Sequence, residues 1–267
     1  MSVTLGQLIQ FMEHRYPPAT AESWDRVGLV VGNRSQPISR VLLAVDPVPE
    51  VVAEARGYDL LLTHHPLYLR GTSFLSEDEA KGRMVTDLIR RGTALYCAHT
   101  NGDANAGGVA DALADLLGLT GTEPLIPESG LGRIGTVPAQ TVREFAHLVV
   151  ERLPAGPTGL LVGGDLDAVI SRVAVSGGSG DSFLEAARAA GAEVYVTADL
   201  RHHPASEHLI NGGPALICGS HWATEWPWLP RLQAQLRAEF ADSLQVDVSA
   251  QVTEPWALHL PTKGPTR

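Results

Sequence analysis

Residues 38–66, ISRVLLAVDPVPEVVAEARGYDLLLTHHP, decide the fold. ISRVLLAVD is an apolar β-like run, PEVVAEARG after Pro47 reads as a helix, and YDLLLT is a short continuous apolar strand of the kind buried on both faces. His64 and His65 stand at the carboxyl end of that strand, so the stretch is a βαβ unit with polar chemistry on its rim. Upstream, VGLVVG is a further β-like run, and Thr4 with Gln7 fits a capping box that starts a helix through about His14, before Tyr16-Pro17-Pro18 stops it. Downstream, a helix from about Glu77 to Arg91, a strand TALYCA and a helix VADALADLLG after two glycines continue the alternation.

Beyond Gly121 the stretch TEPLIPESGLG is rich in turn formers and marks a lobe boundary. Residues 170–204, ISRVAVSGGSGDSFLEAARAAGAEVYVTADLRHHP, then repeat the opening ISRV and the order strand, loop, helix, strand, polar loop. Thr63-His64-His65 corresponds there to Thr197-Ala198-Asp199, which keeps polar loop chemistry without the adjacent imidazoles. Because ISRV is short, duplication stands beside the general likeness of any two βαβ units, and the fold class does not depend on the choice. The expected class is α/β, with two similar βαβ-based lobes, mixed sheets, and ligands at strand carboxyl ends. The first lobe spans 1–125 and the second 126–267, with the 219–240 segment packing back to complete a site.

Composition frames the function. With 267 residues and 44% hydrophobic content the chain can bury one large core or two modest ones, and apart from its last few residues nothing reads as disordered. Twenty basic residues scattered among thirty acidic ones, a net charge of −10, offer no cationic stripe for a nucleic-acid backbone. No stretch reaches the roughly eighteen apolar residues of a membrane helix, and the N-terminus lacks a basic leader followed by an apolar run, so a cytoplasmic protein is expected. Two cysteines, Cys97 and Cys218, exclude a disulfide framework and read as core.

Three patches carry candidate chemistry: His64-His65, His99 with Asp103 in AHTNGD, and His221 with Glu225 in SHWATE. Imidazole and carboxylate together hold borderline divalent metals. Pro66 biases His65 toward extended backbone, on which successive side chains point to opposite sides. Two neighbouring ions, each taking one imidazole, suit that arrangement better than one. Thr100-Asn101-Gly102 reads as a tight turn returning Asp103 over the sheet edge. Because Pro227 follows so closely, the spacing predicts Thr224 as an N-cap, with His221 in the preceding loop and Glu225 near the helix start. A glutamate can give its two oxygens to two ions, so Glu225 is the candidate bridge.

Other features read as structural. GGSGDS (177–182) is a glycine turn into a helix more than an anion cradle, since Asp181 opposes phosphate. His202, His203 and His208 fit an exposed helix face, and Trp222, Trp226 and Trp228 fit packing.

WDRVGLVVG, DLLLTHHPLYLRG, AHTNGD followed by GGV, GGSGDS, YVTADLRHH and SHWATE, in that order from Trp24 to Glu225, resemble the Nif-type dinuclear metal-centre family, whose members often carry the name GTP cyclohydrolase 1 type 2 homologue. The resemblance implies two α/β lobes, two divalent ions per subunit and a ring-shaped homohexamer. It implies His64, His65, Asp103, His221 and bridging Glu225 as metal ligands, with His99 outside that set. Ser220 and Ala198 stand where the family tends to have glycine, departures that touch loop geometry and not ligands. The insertion some members carry between the lobes has no room here.

The resulting expectation is a dinuclear metal-dependent hydrolase whose small-molecule substrate is a nucleotide, GTP by the family's name, with Arg70 as a candidate source of local positive charge. A phosphoesterase acting on other nucleotides is the nearest variant. A non-enzymatic metal-handling scaffold is the rival from another class. Zinc, manganese and iron suit the ligand types equally.

Overall fold

Alternating apolar runs and amphipathic helices build two mixed sheets, one around four parallel strands and the other around three, in a computed structural model that describes residues 3–261. The last few residues, read above as disordered, lie outside the described residues from 262 on. The first part of the chain forms β1 (Val3–Thr4), α1 (Leu5–Arg15), β2 (Gly28–Val31), β3 (Pro37–Ile38), β4 (Arg40–Ala44), α2 (Pro49–Glu54), β5 (Leu60–Thr63), α3 (Ala80–Arg91), β6 (Ala94–Cys97), α4 (Thr100–Ala104) and α5 (Val109–Leu117). There follow β7 (Thr120–Ile126), β8 (Leu131–Thr141), α6 (Val142–Arg152), β9 (Leu161–Gly163), β10 (Val169–Ser179), α7 (Leu184–Ala189), β11 (Val194–Ala198) and α8 (His202–Ile210). The chain closes with β12 (Ala215–Gly219), α9 (His221–Glu225), α10 (Trp228–Phe240) and β13 (Gln245–Val248).

The first sheet has the order β13-β4-β5-β6-β2, parallel from β13 to β6 with β2 antiparallel at its edge. The second has the order β7-β8-β10-β11-β12-β9, in which β10, β11 and β12 are parallel and the outer strands antiparallel. The unbroken LLL of β5 is explained by cover on both sides. Leu60 and Leu62 pack with α1 and α10, while Leu61 packs with α2 and α3. Each such leucine contributes about 1.5–3 kcal/mol on burial. In the second sheet Val194 and Val196 face α5 and α6, and Tyr195 between them faces α7.

The Thr4 capping box forms as read, with the Thr4 side chain accepting from Gln7 N and the Gln7 side chain accepting from Thr4 N at 2.8 Å. α3 begins at Ala80 instead of Glu77, because the Ser76 hydroxyl accepts from Asp78 N at 3.2 Å and holds residues 76–78 in a turn. The sheets do not part at 125/126, where the sequence places the lobe boundary. β7 starts at Thr120 in the second sheet, and β13 crosses back to finish the first. The 219–240 segment also returns: Leu229, Leu232 and Leu236 of α10 share a cluster with Leu5, Leu8 and Met12 of α1.

Candidate metal centre

The parallel strands of the two sheets deliver their carboxyl ends to a common cleft of about 820 Å³. From the first sheet come Asp46 after β4, His64 and His65 after β5, and His99 after β6. The second supplies Gly177 and Gly178 near the end of β10, Asp199 after β11, and α9 after β12.

α9 corrects one expectation. Ser220, and not Thr224, is the N-cap, its hydroxyl accepting from Ala223 N at 3.2 Å, so His221 opens the helix and Glu225 ends it. Pro227 breaks nothing, because it falls beyond the helix as the N-cap of α10. Spacing of four on one helix then sets His221 Nε2 3.0 Å from Glu225 Oε1. Asp103 reaches the rim from the short helix α4 in place of the expected tight turn, with Oδ1 3.7 Å from His64 Nε2.

Each of three imidazoles has one nitrogen committed. His64 Nδ1 lies 3.0 Å from the Ala98 carbonyl, His65 Nδ1 2.6 Å from Asp46 Oδ1, and His221 Nδ1 2.6 Å from Asp199 Oδ2. A carbonyl or carboxylate can only accept, so each Nδ1 is the donor, and in the neutral ring Nε2 is left with the lone pair. All three Nε2 atoms face Glu225, His64 at 3.5 Å from Oε1 and His65 at 3.2 Å from Oε2. The adjacent histidines therefore address different oxygens of one carboxylate.

The charges of the cluster are strongly coupled. Burial disfavours charge on His65 and His221, yet Glu225 with Asp46 and Glu225 with Asp199 push their pKa values up to about 10 and about 11. His64 moves upward for the same reason, Asp103 and Glu225 outweighing its burial. Burial raises Asp103, whereas the surrounding imidazoles overcome burial and hold Glu225 well below its usual range. The carboxylates thus call for positive charge. Protonation supplies it poorly, since the Nε2 atoms of His65 and His221 lie 3.3 Å apart and two N–H groups would meet head-on. His64 Nε2 and Glu225 Oε2 are also buried without a hydrogen-bond partner. Nitrogen lone pairs and an ionised carboxylate oriented this way fit divalent cations. Among the described residues, His65-His221-Glu225 and His64-His65-His99 are the groups of three that could hold a metal ion. The second brings in His99, whose Nδ1 sits 3.1 Å from Asp25 Oδ2.

Sequence reading missed Asp46, Asp199 and Asp25 as partners of the histidines. The available signal was a carboxylate directly after a strand, as in VD46 and TAD199, on the same rim as the histidines. Gly178 was read only as part of a turn. Its φ of +64° and its position against Glu225 make it a close-approach glycine, since a Cβ there would overlap Glu225 Oε1.

Asp181 accepts from Arg201 N at 3.0 Å, and β10 runs through Ser179, so 177–182 is no anion cradle. His202 and His203 are exposed, but His208 is buried, with Nε2 3.2 Å from the Pro214 carbonyl, in place of the exposed face expected. Trp222 and Trp228 are buried in the core. Arg70 is exposed and does not line the cleft, whereas Lys81 does.

The Duf34/NIF3 (NGG1p interacting factor 3) profile matches residues 3–255. A Streptomyces coelicolor protein named GTP cyclohydrolase 1 type 2 homolog is 49% identical, over 96% of this chain and 94% of its own. A Mycobacterium bovis protein of the same name is 33% identical over 97% of this chain and 98% of its own, in an alignment of 370 positions that exceeds this chain's length. Among solved structures, a Bacillus cereus protein related to NIF3 superposes with a TM-score of 0.88 at 24% identity, covering 97% of this chain and 99% of that one. A Staphylococcus aureus protein gives 0.88 at 28% identity, covering 97% and 100%.

Proposed function

The chain belongs to the Duf34/NIF3 family, and on that premise we propose that it is a dinuclear metal-dependent hydrolase. The observation that carries this reading is Glu225, a buried carboxylate whose two oxygens face separate imidazoles. His64 and Asp103 with Glu225 would hold one divalent ion, and His65 and His221 with Glu225 the other. Zinc, manganese or iron fits these donors. Two such ions, when bound, lower the pKa of water and stabilise charge developing at an attacked carbon or phosphorus centre.

The protein's own part is positional. Asp46 and Asp199 fix the rings of His65 and His221 so that Nε2 points inward. Gly178 lets the backbone of β10 lie against Glu225, while Thr224 accepts from Gly178 N at 3.0 Å and ties α9 to that strand. The open cleft beside the cluster leaves room for a small molecule, which favours turnover over a closed structural site. The relatives' name points to GTP, whose imidazole ring would be opened by water with loss of formate. A homohexamer is part of the same proposal.

The test joins metal content to turnover. The purified chain should carry two divalent ions, and incubation with GTP should release formate. Glu225→Ala should lose both. Full metal content with no product from GTP or other nucleotides would remove the hydrolase reading and leave metal handling, whereas full metal content in Glu225→Ala would remove the bridged centre.

A further inference from the structure

Trp24 is an indole left half out of the core at the mouth of the metal cleft. It is 54% exposed and lines the cleft together with His65, His99 and Glu225. Its ring meets His99 edge-on at 5.7 Å, and the His99 ring stands 5.3 Å from that of His65, so the indole centroid lies within about 11 Å of the proposed ligand cluster.

The exposure is not slack in the chain. Asp25, the next residue, is buried, and its carboxylate accepts from Thr100 Oγ1 at 2.6 Å, Thr100 N at 3.1 Å and Arg26 N at 2.8 Å. Asp25 N donates to the Glu22 carbonyl at 2.9 Å, closing the turn that carries Trp24. The backbone is pinned and the indole is presented. Leu67, Met84 and Phe183 add apolar wall to the same cleft. By contrast Trp222 and Trp228 are spent on packing.

We infer that Trp24 is a substrate-positioning platform that stacks a planar heteroaromatic ring beside the metal cluster. The inference rests on the metal-centre reading, because the cluster supplies the charge that anchors the anionic part of such a ligand. Stacking contributes through the π-face alone and so separates a nucleotide from its bare phosphate chain.

Calorimetric titration of the zinc-loaded full chain with GTP and with inorganic triphosphate tests this, with metal content measured on every preparation. Wild type should bind GTP about five- to 150-fold more tightly than triphosphate, the range that one stacked base supplies. Trp24→Ala should bring GTP down to the triphosphate value at unchanged metal content, and Trp24→Phe should restore part of the difference. Equal binding of the two probes by wild type, binding of neither, an equal loss of both in Trp24→Ala, or a Trp24→Ala protein changed only in oligomeric state would overturn the platform. Failure of the metal centre shows separately, as wild-type protein that holds no zinc.

Discussion

Replacing Gly178 by alanine separates two costs that the structure places on one residue. At φ +64° any residue with a Cβ is strained by about 1–2 kcal/mol. The added methyl would also overlap Glu225 Oε1 and approach His221 Nε2 to 3.0 Å, and relieving such overpacking costs typically about 1–3 kcal/mol more. Gly191→Ala is the matched control, since Gly191 has φ +72° and nothing within 4 Å of a Cβ. In urea unfolding of chelator-treated protein, Gly178→Ala should lose roughly 2–5 kcal/mol and Gly191→Ala roughly 1–2. Turning the Glu225 carboxylate away from the imidazoles relieves the overlap. Divalent metal affinity, read by competition with a chromophoric chelator, should therefore fall by about 10- to 100-fold or more in Gly178→Ala and stay unchanged in Gly191→Ala. Wild-type affinity in Gly178→Ala, or an equal loss in Gly191→Ala, would refute the assignment of this glycine to the centre.

Asp46→Asn and Asp199→Asn should each weaken metal binding by about 10- to 100-fold, by loosening the orientation of His65 and His221, with little change in far-ultraviolet circular dichroism. In the metal-free chain, His65 and His221 contribute stability that is complete below about pH 6.5 and lost as pH rises through about 10 and 11. Glu225 contributes in the opposite sense, its share present above about pH 4.5 and lost in acid. Urea midpoints of chelator-treated protein should accordingly fall between pH 7 and 10, while metal affinity climbs over the same interval as bound protons are displaced. A midpoint that rises there would contradict this charge balance. Thr4→Ala should cost about 1 kcal/mol through loss of the capping box and leave metal affinity untouched.

The strands with unbroken apolar runs were legible because two-sided burial leaves no polar face, as in Leu60–Leu62 and Val194–Val196. The α/β class followed from their alternation with helices. That His64, His65, His99 and Asp103 share a rim was legible because parallel strands of one sheet end together, whereas the joining of His221 and Glu225 to them was implied only by the family resemblance. Detail set by short-range hydrogen bonds was less so: Ser220 outcompetes Thr224 as a cap, and Pro227 lies just past the helix it seemed to limit. Contacts between distant parts of the chain left the weakest trace. Asp25 beside Thr100 and β13 beside β4 have no periodic signature, because each is a single pairing made across the fold.

The return of β13 to the first sheet has a consequence for the order of events during synthesis. β4 lacks its outer neighbour until residues 245–248 have left the ribosome, and until then an apolar strand edge stands open to other chains. A nascent chain halted before that point would be a candidate for chaperone capture. By the same order of synthesis, a cation held by His64, His65, His221 and Glu225 together could load only after residue 225 has emerged.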